Sequence, residues 1–391
     1  TGEHFTTGDI VVGVNSTFTV STGATVDVGT VESVSIGTHF SPPTGDINDR
    51  PEVPVEGTVR FNRDLNTLEF YNGIEWRQFT VNGASGRSLM MGGTGGSTAH
   101  ASCIQFVNIH TKGNTKMFGD LTNPTDGNSA VSSSTRAVNL AGYAMPAAVV
   151  LNVMDYVTIA SEGNATDFGD LQQGARYLTT GTNGTRGLMM GGQQPSFTTM
   201  INAINISSRG NAIDTGGEWE AANVNGLSVY SPLRMIILGG SNSGSPASIR
   251  TMHHIDITSN GNTTEFGETS IRGTGAQVSN NVRGVFGGYN GTDWTHLNYI
   301  TIASLGEVIE FGELTQRRSG TANGNTCSHT RGIFMGGRKS PTFYNTIDYV
   351  NMQSLGNAMD FGDTTGVDLE GAGNLAYTSG TTDCHGGLGG Y

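Results

Sequence analysis

Apolar and polar residues alternate along this chain in short runs that return at a nearly fixed interval. The apolar members are Val107 and Ile109, Val157 and Ile159, Ile204 and Ile206, Ile255 and Ile257, Ile300 and Ile302, and Val350 and Met352. Asn108, Thr158, Asn205, Asp256, Thr301 and Asn351 sit between them. A period of two with β-branched residues predicts strands with one buried face. Each run leads into a turn, most often Ser-x-Gly-Asn, with glycine at 113, 163, 210, 261, 306 and 356, where a positive φ is expected. The next strand ends in Phe-Gly-Asp or Phe-Gly-Glu at Phe118, Phe168, Phe266, Phe311 and Phe361. The third copy has Thr215-Gly216-Gly217 instead.

Ahead of each run stands a strand that begins with Arg and ends in Gly-Gly. Copies start at Arg87, Arg186, Arg234, Arg283 and Arg331, a degenerate one starts at Arg136, and HGGLGG closes the series at His385. The steps are 49, 50, 48, 49, 48 and 54 residues. Four short antiparallel strands repeated at that period describe a propeller blade. The pattern predicts an all-β protein, a seven-bladed β-propeller with four-stranded blades and a ~49-residue repeat. The chain stops soon after its seventh Gly-Gly, so strands from the N-terminal side are expected to complete that blade. The candidates are GTVRFN at 57–62 and TLEFYN at 67–72, a hairpin pair that would cover open sheet edges.

Before the repeats, residues 1–41 alternate Val, Ile and Phe with Thr, Ser, Asn and Asp between glycine turns. One copy of so thin a pattern buries too little to stand alone, so several chains wound into a β-rich fibrous stalk are expected. Residues 42–56 carry Pro42, Pro43, Pro51 and Pro54 and form a neck. Residues 57–82 are the hairpin or meander, and 83–391 the propeller.

Composition narrows the partners. With 59 glycines and 35% hydrophobic residues, the chain suits many turns and thin strands. The net charge is −13, and lysine occurs only at Lys112, Lys116 and Lys339, which argues against nucleic acid. Without a run of 18 apolar residues, no membrane insertion is expected. The first residue is Thr1, and a leader or earlier domain is expected to lie outside this chain. Cys103, Cys327 and Cys384 are odd in number and scattered, and read as packed thiols.

Two sets of residues are candidates for chemistry. The arginines 87, 136, 186, 234, 283 and 331, with His385 last, could ring a channel and bind an anion. The preferred reading pairs Arg87, Arg136, Arg186, Arg234, Arg283 and Arg331 with Asp120, Asp170, Glu268, Glu313 and Asp363 as structural struts between or within blades. The second set lies in the loops joining second to third strands: Phe197, Tyr289, Asp293, Trp294, His296, Arg338, Phe343 and Tyr344. Loops on a rigid scaffold suit recognition, and these aromatics could stack on a sugar. They could equally cover blade ends or pack on a neighbouring chain. No metal site, catalytic frame or phosphate loop stands out, so no cofactor is expected.

The segment GTVRFNRDLNTLEFYNGIEWRQF resembles a short motif of bacteriophage tail fibres and related virion proteins. The repeats MDYVTIASEGNATDFGD at 154–170 and IDYVNMQSLGNAMDFGD at 347–363 are similar to kelch-like repeats of marine phage structural proteins. Kelch Tyr and Trp positions are replaced here by the Phe-Gly-acid element. The resemblance implies a non-catalytic virion protein, a homotrimeric tail or head fibre joined to other virion proteins. Its propeller would attach to a host-surface glycan or protein, with weak sites gaining avidity from several copies. The alternatives are a glycan-degrading tailspike-type enzyme, which would need Asp293 beside Glu218 or Asp368, and a purely structural capsid decoration protein.

Overall fold

The computed structural model describes residues 42–65, 67–78, 85–95, 100–193, 196–220, 226–241, 248–269, 275–287, 295–304, 308–365 and 374–384. The described chain is all-β and holds several four-stranded antiparallel sheets. The expected stalk of residues 1–41 falls outside the described residues, as do the His385 copy of the repeat and Tyr289, Asp293 and Trp294.

The first repeat joins Ser379–Thr382, Arg87–Met91, Cys103–Asn108 and Lys116–Asp120 in that order. The second runs Ser129–Ser132, Arg136–Ala144, Val149–Thr158, Thr166–Asp170. The third is Thr179–Thr182, Arg186–Met190, Met200–Asn205, Ile213–Glu218. The fourth is Leu227–Tyr230, Arg234–Ser241, Ser248–Asp256, Thr264–Glu268. The fifth is Ala276–Ser279, Arg283–Gly287, His296–Thr301, Ile309–Glu313. In the sixth, Arg331–Met335, Thr346–Asn351 and Met359–Asp363 form the sheet, and 322–328 bonds along its open side through Ala322 N–H to Met335 O and Ile333 N–H to Thr326 O.

Ser379–Thr382 is therefore the first strand of the first sheet, with Ser379 opposite Met91 and Thr382 opposite Ser88. The hairpin of 57–72 was expected to complete a seventh blade begun by the His385 copy, which lies outside the described residues. The hairpin instead builds its own sheet, Thr44–Gly45, Val59–Asn62, Thr67–Tyr71 and Trp76–Gln78. Its buried Glu69 binds Arg50 at 2.7 Å and lies 3.7 Å from Arg60, and both guanidiniums sit over Trp76. The sheet is tied to the first repeat through Glu75, whose Oε1 is 3.0 Å from Arg87 Nε, and through Lys116, which donates to Ile74 O.

The Phe-Gly-acid element proves to be a β-bulge. In the first repeat Gln105 pairs with Met117 and Ile104 with Gly119, so Phe118 is the extra residue. The same shift recurs at Met154/Asp155, Met252/His253, Leu297/Asn298 and Ile347/Asp348. A bulge re-aims its side chain, and Phe118 is buried with Val157 and Ile159 of the next repeat. The core lies between consecutive sheets in this way, with Phe168 against Met189 and Ile204 and Phe361 against Val107 and Ile109.

The glycine after the bulge meets the turn glycine of the next repeat. A Cβ on Gly119 would lie 2.2 Å from Gly163 O, one on Gly169 2.5 Å from Gly210 C, one on Gly312 2.3 Å from Gly356 O, and one on Gly362 2.4 Å from Gly113 O. The third repeat keeps the contact with Gly217, where a Cβ would stand 2.2 Å from Gly261 O, although it lacks the phenylalanine and its register shifts by one residue more; buried Trp219 shares that interface core. The close approach lets backbones bond across the interface, as in Gly163 N–H to Phe118 O at 2.8 Å and Ala165 N–H to Asp120 O at 2.7 Å. The turn asparagine completes it: Asn164, Asn211, Asn262, Asn357 and Asn114 accept from the main-chain N–H of Asp120, Asp170, Glu218, Glu313 and Asp363.

The arginine series is a second set of struts. Arg87, Arg136, Arg186, Arg234, Arg283 and Arg331 donate to the carbonyls of Ile159, Ile206, Thr258, Ala303, Met352 and Ile109 at 2.8 to 3.2 Å. Each bond reaches the next repeat, and the last returns to the first. The carboxylates of the Phe-Gly-acid element are not the partners. Register explains why: Arg87 lies opposite Asn108 and Asp120 opposite Cys103, at the two ends of the third strand, roughly 17 Å apart. Among the described residues, Arg87 alone of this series has ion pairs, with Glu75 and Glu162. A third link uses a polar residue of the third strand to hold the segment that follows the previous fourth strand. Asp155 accepts from Thr122 at 2.7 Å, Asp348 from Thr315 at 2.6 Å, and Gln105 from Thr365 N–H at 3.0 Å. All three cysteines are buried free thiols.

Substituting Arg283 by Met removes the donor to Met352 O while keeping a stem over Tyr299, and should cost about 1–3 kcal/mol in urea unfolding. A loss below about 0.5 kcal/mol would show that the strut is redundant.

His110 packs against Gly86 with Nε2 3.8 Å from Cys384 Sγ, and burial, helped by Arg331, lowers its pKa to about 4. The folded imidazole stays neutral where the unfolded one takes a proton. Its contribution is therefore complete above pH 6.5 and is lost as the pH falls from 6.5 towards 4. Burial raises Asp155 and Asp383, which act in the opposite direction at lower pH. His110→Asn should therefore lose roughly 2–3 kcal/mol less than the parent between pH 7 and pH 4.5, as read by urea unfolding at the two values.

Candidate functional site

The first strands run side by side and are rich in Ser, Thr and Gly, and their hydroxyls bond the neighbouring backbone. Thr180 Oγ1 donates to Ala130 O, Ser228 Oγ to Thr180 O, and Ser132 Oγ to Thr382 O. Amide side chains fill the space between them. Asn323 donates to Ser129 Oγ at 2.8 Å and to Leu178 O at 3.1 Å, and Gln277 donates to Asn323 Oδ1 at 3.1 Å. Where these strands begin, a mouth opens that is lined by Gly127, Tyr177, Gly226, Gly275, Gly320 and Tyr377 among others. The opening holds about 30 Å³, room for one water molecule.

The mouth is shaped by backbone conformation. Tyr377 N–H donates to Gly320 O, Gly127 N–H to Tyr377 O, and Tyr177 N–H to Gly127 O, stepping from repeat to repeat. All four residues are left-handed, with φ of 61° at Gly127, 63° at Gly320, 58° at Tyr177 and 56° at Tyr377. Glycine accepts this conformation freely, whereas a tyrosine is strained by roughly 1–2 kcal/mol. Strain of this kind tends to gather at functional sites. The glycines make room for the rings: a Cβ on Gly127 would lie 2.8 Å from the Tyr177 ring and one on Gly320 2.9 Å from that of Tyr377. The two tyrosines meet edge to face at 5.8 Å.

Charged groups flank them. Arg176 lies over Tyr143 at 5.1 Å and over Tyr177 at 5.2 Å, and both its Nε and a terminal nitrogen donate to Gln193 Oε1. Arg338 lies over Tyr377 at 4.9 Å and over Phe343 at 5.6 Å. His100 Nδ1 is 2.8 Å from Tyr143 O, and its Nε2 is 3.7 Å from Asp126 Oδ2. Burial pushes the Asp126 carboxyl above the usual range, against the pull of His100, Arg176 and Arg338. Burial and the Asp126 charge push the Tyr177 phenol up to about 12. Asp126 Oδ1 and Asn128 Oδ1 are buried without a hydrogen-bond partner among the described residues.

Short ribbons carry this rim above the sheets. Tyr143 pairs with Asp126, Gln193 bridges Arg176 and Phe197, and Arg338 bridges Ser319 and pairs with Phe343. Of the predicted loop residues, Arg338 and Phe343 are in the rim and Phe197 is paired to it through Gln193. Tyr344 follows on the same ribbon, its N–H bonded to Gly337 O. His296 opens the third strand of its own repeat, 3.9 Å from Glu313 on the fourth. Sequence reasoning missed Asp126, His100, Arg176, Tyr177 and Tyr377. The available signal was Tyr177 and Tyr377, each standing two residues before a first strand, where the second repeat has Gly127.

Among the described residues, no group of three His, Cys, Asp or Glu side chains is placed to hold a metal ion. Comparison with protein-family models gives no match, and comparison with curated proteins gives none either.

Replacing Gly127 or Gly320 with Ala should destabilise the fold by about 1–3 kcal/mol, from left-handed strain plus collision with a tyrosine ring. Paired with Tyr177→Ala or Tyr377→Ala respectively, each alanine should cost measurably less. Equal cost in both backgrounds would refute the crowding account.

Proposed function

We propose that this chain is a virion appendage protein whose repeats close into a six-bladed β-propeller that attaches to a glycan on a host surface. The cyclic series of arginine struts and glycine contacts, with Gly113 N–H bonded to Phe361 O, supports ring closure at six blades. The observation that carries the attachment reading is the rim itself: Arg176, Tyr177, Tyr377 and Arg338 stand in a row, each ring or guanidinium against the next. Aromatic rings with fixed guanidinium donors match the stacking faces and hydroxyl acceptors of a saccharide. The shallow opening favours weak contacts, and a fibre would multiply them through several copies. Val53 and Val55, 86% and 72% exposed, offer apolar surface on which neighbouring chains of a trimer would pack. The thin β pattern of residues 1–41 supports a shared stalk, and the likeness of 57–79 to tail-fibre segments supports attachment to other virion proteins.

The test is adsorption of the fluorescently labelled full chain to a panel of bacterial cells, with and without periodate oxidation of surface glycans. Cells should bind the parent chain, lose it after oxidation, and bind Tyr377→Ala and Phe343→Ala at least about tenfold more weakly, with unfolding curves confirming that both variants fold. Adsorption that survives oxidation, or is untouched in the variants, would overturn the glycan reading; adsorption to no cell would favour a decoration protein.

A further inference from the structure

We infer that the saccharide recognised at the mouth is acidic, and that Arg176 and Arg338 read its carboxylate; this rests on the attachment reading above. The argument begins with where the chain spends its positive charge. Arg50, Arg77, Arg87 and Arg318 lie within 3.0 Å of Glu69, Glu75, Glu75 and Asp348. Five of the six repeat arginines instead spend theirs on carbonyls between repeats. Arg176 and Arg338 do neither. Among the described residues, no carboxylate lies within ion-pair distance of either, although both sit near enough to Asp126 to influence it.

Their geometry is fixed from behind. Arg176 is held by Gln193 Oε1 through two nitrogens and is stacked on Tyr143 and Tyr177, which leaves its remaining donors for a ligand. Arg338 is held between Tyr377 and Phe343 on a two-stranded ribbon. A planar guanidinium immobilised on aromatic faces suits bidentate capture of a planar carboxylate. His100 adds a further ring nitrogen beside Asp126. On a chain of net charge −13, two unneutralised arginines at one opening make a local positive field in an otherwise repulsive surface. The opening admits one water, so the sugar lies across the rim rather than inside it.

Full-length protein should be titrated calorimetrically with oligogalacturonate, with the same oligomer after carboxyl reduction, and with dextran sulfate. The acid oligomer should bind, the reduced one should bind at least about tenfold more weakly, and raised salt should weaken only the former. Arg176→Gln and Arg338→Gln, shown folded by their unfolding curves, should each lose about tenfold for the acid oligomer and little for the reduced one. Equal binding of acid and reduced oligomers, or binding of neither, overturns the proposal. Dextran sulfate binding as tightly as the uronate would overturn carboxylate reading in favour of bare charge. Glycan-dependent adsorption to cells would survive any of these failures, so the two readings fall separately.

Discussion

The architecture depends on backbones coming close enough between sheets to bond. Where the bulge glycine of one repeat meets the turn glycine of the next, any side chain would drive the sheets apart, as the 2.2 Å separation computed for a Cβ on Gly119 makes plain. Two glycines that look like independent turn signals are thus the two halves of one contact. Everything nearby follows from it: the bulged phenylalanine fills the space between sheets, the turn asparagine satisfies the N–H exposed by the bulge, and the arginine strut crosses the same interface beside the bulged ring.

Interfaces built this way tolerate variation in their third element. The polar position on the third strand is Gln105, Asp155, His253 or Asp348 in different repeats; the two aspartates accept from a threonine hydroxyl, Gln105 from a main-chain N–H, and His253 meets Glu220, each holding the segment that follows the preceding fourth strand. The sixth repeat goes furthest, burying the Arg318–Asp348 pair completely at 2.9 Å. An ion pair so enclosed adds little net stability over apolar packing, but breaking one partner is costly, so it favours one arrangement over others.

Much of the scaffold was legible in the sequence. Alternation at Ile255 and Ile257 marked third strands, and turn glycines such as Gly356 have the expected positive φ. What could not be read were partners across repeats. Arg87 and Asp120 are near in sequence and opposite in charge, yet register holds them at opposite ends of one strand, a relation that spacing alone does not encode. The strand completing the first sheet was also hidden, since Ser379–Thr382 is a Ser/Thr/Gly segment without apolar alternation and is buried by hydroxyl bonds to its neighbours. The rim was half legible. Its loop residues Arg338 and Phe343 stood out as aromatic and charged, while Tyr177 and Tyr377 became informative only when their backbone conformation was known.

That closing strand also bears on how the molecule is made. Met91 and Ser379 pair although they lie 288 residues apart, 379 minus 91. During synthesis the second strand of the first sheet leaves the ribosome long before its partner exists, and at about 5–20 residues per second it waits roughly 15 to 60 seconds. Repeats two to five can form their own sheets as they emerge, because their strands are sequential. The first sheet alone passes that interval with an open edge, the interval in which pairing with another nascent chain competes with pairing at home.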